Sequence, residues 1–121
     1  MLNNNLNKLY AALELANSGK NIVSSPLSIY ACLAMLAQGL KGKSLVELQS
    51  ALGYGGEANI LEGHAKKCLD GLHSAKKTEG VTIKITNSIY TSQQVTIKQG
   101  YVDQVAKIHH AIAKSVNFGN P

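Results

Sequence analysis

The side chains able to do chemistry are few and dispersed. His109 and His110 are adjacent on a helical pattern, so they point about 100° apart and cannot both face one metal ion. His64 and Cys68 stand at i,i+4, a spacing that can place two ligands on one helix face, but no third ligand lies nearby in sequence. Cys68 also belongs to an apolar stripe, so the pair reads as helix packing; no metal and no cofactor are expected. Ser25 and Ser28 lack a neighbouring histidine and the GxSxG elbow that would make either a nucleophile. Enzyme activity is not expected. Lys66, Lys67, Lys76 and Lys77 form the densest group of like charge, interrupted by Glu62, Asp70 and Glu79. They are candidates for weak, salt-sensitive polyanion binding, although a solvated helix face explains them as simply.

The elements that must carry these residues follow from apolar spacing. Leu2, Leu6, Leu9, Tyr10 and Leu13 mark one stripe of a helix over residues 3–17, stopped by Asn17-Ser18-Gly19. Residues 21–24 read as a short strand. Ser25-Pro26 then opens a second helix, with serine as cap and proline at a position where its missing N–H costs nothing. From Pro26 to Gln38 nearly every residue is apolar or small, which predicts a helix buried on all sides. Ser44 and Glu47 suggest a capping box for a third helix, with Leu45, Leu48 and Leu52 on its face. A fourth helix over residues 57–72 aligns Leu61, Ala65, Cys68, Leu69 and Leu72.

The period then shortens. Val81, Ile83, Ile85 and Ile89 alternate with polar residues, predicting a strand with Asn87 on its apolar face. A buried amide without partners costs about 1–3 kcal/mol, so Asn87 needs hydrogen-bonding neighbours. A fifth helix follows, aligning Tyr101, Val105, Ile108 and Ile112, and then a short strand over residues 115–118. The order of elements is that of an α+β fold, yet two strands separated by a helix barely begin a sheet. The core therefore reads as incomplete for a stand-alone protein.

Composition narrows the functions. The 121 residues include 12 lysines, no arginine and 7 acidic residues, a formal charge of +5. At 45% apolar and 16% charged residues the chain is not a disordered tail. Without arginine it lacks the planar fork that reads guanine edges, so sequence-specific nucleic-acid recognition is not expected. The apolar run over residues 27–37 is too short to span a bilayer, so no membrane role is expected. Cys32 and Cys68 form no CxxC and sit in apolar runs, which predicts two buried free thiols. Met1 is followed by LNNNLNK, without the apolar core of a signal peptide. The sequence as it stands thus predicts a cytoplasmic product, or an extracellular one if the N-terminus is incomplete or secretion is leaderless.

Four ordered blocks resemble the serpins, the serine protease inhibitor superfamily. NIVSSPLSIYACLAML at residues 21–36 is similar to that family's second-helix region. GLKGKS with LVELQSALGY resembles its third helix, TNSIY at residues 86–90 a strand of its large sheet, and SVNFGN at residues 115–120 the end of the first strand of that sheet. The resemblance implies that residues 1–121 are the N-terminal segment of a single serpin domain. About five helices, a short strand and two strands of the large sheet would be present, and the remainder, with the reactive loop, absent. It further implies that Ser25, Ser28 and Asn87 belong to the shutter, where the central strands part to admit the loop. In the family, a serine or cysteine protease cleaves that loop, is trapped covalently, and is dragged across the sheet as the loop inserts. No reactive bond lies in this sequence, so the chain alone is expected not to inhibit. The alternatives are a non-inhibitory serpin, acting as chaperone, carrier or storage protein, or a truncated product that binds a partner or a polyanion.

Overall fold

The computed structural model describes residues 2–54, 58–75, 79–80, 82 and 84–119. Five helices and two strands appear among them, in the order α1 (Leu2–Ala16), α2 (Pro26–Gly39), α3 (Gly42–Ala51), α4 (Ala58–Ala75), β1 (Ser88–Ser92), α5 (Gln99–His109) and β2 (Ile112–Val116). They fall into two compact units, Met1–Ala58 and Asn59–Pro121.

In the first unit α2 packs against both α1 and α3. Its buried residues are Tyr30, Ala31, Ala34, Met35 and Ala37, and the three alanines let neighbours approach closely. Tyr30 and Tyr54 anchor the far side of this core, hydroxyl to hydroxyl at 2.9 Å with their rings tilted by 49°. Packing is not complete. An apolar hollow of about 240 Å³ lies between the three helices, lined by Leu6, Leu9, Leu33, Leu48 and Leu52 among others. The side chains of Gln38 and of the buried Gln49 also hold polar atoms without hydrogen bonds.

Several expectations for this unit need correction. α2 is covered on one face only, since Cys32 is exposed and Leu36 is 49% exposed. Composition makes this helix able to be buried all round, but α1 and α3 supply neighbours for one side. Cys32 is therefore a free exposed thiol, and Cys68 is half-buried rather than buried. Residues 21–24 form no strand and Val23 is fully exposed, because nothing among the described residues pairs with them. α3 begins two residues before Ser44, with Lys41 at its N-cap and no side-chain cap. Glu47 accordingly faces Lys43 at 3.6 Å rather than closing a capping box. Gly53, at φ 79°, takes the left-handed turn that ends α3.

In the second unit β1 and β2 run parallel, in register from Ser88 opposite Ile112 to Ser92 opposite Val116. α5 is the crossover that parallel strands require, and it packs back on β2. The alternating stretch becomes a strand only from Ser88, since β2 offers five residues of partner. Residues 84–87 are irregular and Val81 and Ile83 lie outside the described residues. β2 starts three residues before the expected strand. Ile112 thus heads the strand, 51% exposed, instead of extending the α5 stripe, and Phe118 sits exposed in the turn beyond it. On α4, Ala65 and Leu69 are buried as the stripe requires.

Candidate functional site

Ser25 occupies the N-cap of α2 with extended backbone angles, φ −117° and ψ 95°. Its Oγ accepts from the Ser28 amide at 3.3 Å and from the Ser28 hydroxyl at 2.9 Å. The cap thus satisfies one of the free amides of the first turn and ties the two serines together. Both are exposed. The pair has no charged or imidazole partner among the described residues, so it can act as a hydrogen-bonding cluster and not as an activated nucleophile.

Asn87 belongs to the second unit, at the head of β1. Its carbonyl accepts from the Ile112 amide at 3.2 Å, so its backbone opens the parallel ladder. The residue is buried, 8% exposed. The alternation pattern was right about its burial.

The lysines divide. Lys66 is exposed on α4 but donates to Asp70 Oδ2 at 2.6 Å, and Lys67 is exposed as well. Lys76 and Lys77 lie outside the described residues. Asp70 also stands 3.9 Å from His110 Nε2, so its carboxylate dilutes the positive field of α4. His64 is exposed, and Cys68 on the same helix is half-buried.

Sequence reasoning missed the burial of His109, which is 1% exposed although its neighbour His110 is open. The signal was present: His109 stands four residues after Val105 and one after Ile108, inside the stripe that α5 buries. Burial, and secondarily the charge of His110, hold its imidazole below the ordinary 6.5.

These elements can be compared with those of known proteins. The sequence profile of the family described as Serpin (serine protease inhibitor) matches residues 2–121, nearly the whole chain. The chain belongs to the serpin family. Serine protease inhibitor 42Dd of Drosophila melanogaster is 31% identical over 114 residues, covering 93% of this chain and 30% of that protein. Human neuroserpin is 26% identical over 110 residues, covering 91% and 27%. Among solved structures, human glycosylated kallistatin superposes with a TM-score of 0.83 at 22% identity, over 93% of this chain and 31% of that one. Native protease nexin-1 with heparin superposes with a TM-score of 0.81 at 23% identity, over 98% and 31%. The chain therefore spans about 30% of the length of the serpins it matches. Its α+β architecture of five helices and two strands is a partial serpin fold, and the family is one of inhibitors rather than catalysts.

Proposed function

We propose that this chain is the N-terminal part of a serpin-type protease inhibitor and does not inhibit by itself. The observation that carries the reading is the family match over residues 2–121 together with its coverage of only about 30% of each relative. Trapping a protease requires a bait bond, a loop that can insert and a sheet that can receive it. A two-stranded sheet cannot be entered between central strands. The chain's part is therefore to supply β1 and β2 to one flank of the sheet and helix α2 to the same domain. Ser25, Ser28 and Asn87 act as shutter groups: the serine pair offers hydroxyls and Asn87 a buried amide. The partner in this reading is a serine or cysteine protease, met through the reactive loop of the longer protein. No cofactor takes part, and the chain is not itself an enzyme.

The test is to incubate trypsin-like and chymotrypsin-like serine proteases with the 121-residue chain, and separately with the longest protein its source produces. The short chain is expected to form no complex that survives denaturing electrophoresis and to leave protease activity unchanged. The longer protein is expected to form one. Inhibition by the short chain would overturn the first half of the proposal, and a longer protein that is cleaved without trapping would favour a non-inhibitory serpin.

A second reading rests on Lys66 and Lys67, exposed on α4, and on the heparin in the structurally similar protease nexin-1 complex. Because Asp70 engages Lys66, polyanion binding here is weak and governed by counterion release. Elution from a heparin column at low salt, earlier still for a Lys66→Ala/Lys67→Ala variant, is the expected result. Identical elution of both proteins would remove these lysines from the site.

A further inference from the structure

His109 is the last residue of α5, where the helix hands over to β2. Among the described residues its ring is one of the most completely buried side chains, and neither Nδ1 nor Nε2 has a hydrogen-bond partner there. A neutral imidazole tolerates such a place at the cost of unsatisfied nitrogens, whereas an imidazolium has two N–H donors and a charge to place.

The surroundings offer that charge nothing. On α5 itself, Asp103 and Lys107 are exposed, and Tyr101 is half-buried. β2, which packs on α5, brings Lys114, also exposed and of like sign. α4 brings Asp70, but its carboxylate is already engaged by Lys66 Nζ at 2.6 Å and approached by His110 Nε2 at 3.9 Å. His110 is held as the left-handed cap of α5, φ 50°, its amide and that of Ala111 both directed at the Val105 carbonyl. Once protonated beside Asp70, it adds a positive neighbour to His109. Burial and the charge of His110 therefore favour the neutral ring.

We propose that His109 is a pH-responsive latch on the α5–β2 junction, holding it closed while the imidazole is neutral and releasing it when the ring is charged. Burial and His110 depress the native proton affinity of the ring, so the sign is fixed. Its contribution is fully present above the ordinary 6.5 and is lost as pH falls through the lower native value. Within that window the opened state holds one proton more, and protection of the junction falls about tenfold per pH unit.

The experiment follows backbone amide exchange and imidazole C2-proton exchange by mass spectrometry on the intact chain, from neutral to mildly acidic pH. His109 is expected to titrate below the ordinary 6.5, and protection over residues 105–116 is expected to fall with acid while that over residues 26–39 does not. His109→Phe keeps a ring in the site and is expected to abolish the acid loss. His110→Asn, which tolerates the left-handed cap, is expected to raise the His109 midpoint. A His109 midpoint at or above the ordinary 6.5, or an unchanged acid response in His109→Phe, overturns the proposal. Should His109→Phe fail to fold, the midpoint and its shift in His110→Asn decide alone.

Discussion

Asn87 is 8% exposed, so folding removes most of its amide from water. On the shutter reading the amide's partners lie outside the 121-residue chain, so in that chain Asn87→Leu removes a desolvation cost and is expected to be neutral or stabilising by about 1 kcal/mol. In a longer protein that supplies shutter partners, Asn87→Ala is expected to cost about 1–3 kcal/mol. Parallel urea denaturation of the two proteins checks both, and a destabilised Asn87→Leu chain would mean that the amide is already bonded. Ser25 presents the opposite case, because its partner is local. Losing the cap in Ser25→Ala is expected to cost about 1 kcal/mol in either context, read from the same urea midpoints. The difference also explains what the sequence could disclose. Ser25 announces its role through the adjacent Pro26 and the amide three residues on, whereas the alternation around Asn87 gives its burial and cannot name residues far along the chain.

At the scale of elements, helices were legible and strands were not, for the same reason. The stripes of α1, α4 and α5 and the Ser25-Pro26 start are written in residues three or four apart, within reach of local hydrogen bonds. β1 and β2 are defined by one another across a crossover, so their limits follow from the register Ser88–Ile112 to Ser92–Val116 and not from alternation. The same limit applies to α2. Its composition states that it can be surrounded; only the packing shows that α1 and α3 cover one face. Cys32 reports on the open face. In the 121-residue chain a maleimide is expected to label exposed Cys32 several-fold faster than half-buried Cys68. Equal protection of both thiols would show that the helix is covered after all, by the chain itself or by another copy.

For the whole molecule, two features left open at smaller scales act together. The α2 face leaves Cys32 and Leu36 in contact with water, and each strand of the pair has an edge with no described partner. Unpaired strand edges and contiguous apolar surface are the surfaces through which chains associate. A formal charge of +5 on 121 residues opposes association only weakly once salt screens it. The 121-residue chain is therefore expected to associate as its concentration rises, giving a weight-average mass above 12.9 kDa in sedimentation equilibrium. Leu36→Lys places a charge on the open face without touching the buried face of α2, and is expected to shift the distribution back toward the monomer. A chain that stays monomeric and melts in one sharp transition would show the two units to be self-sufficient. The fragment reading would then lose its physical support, and a short serpin product with a partner-binding role of its own would become the better account.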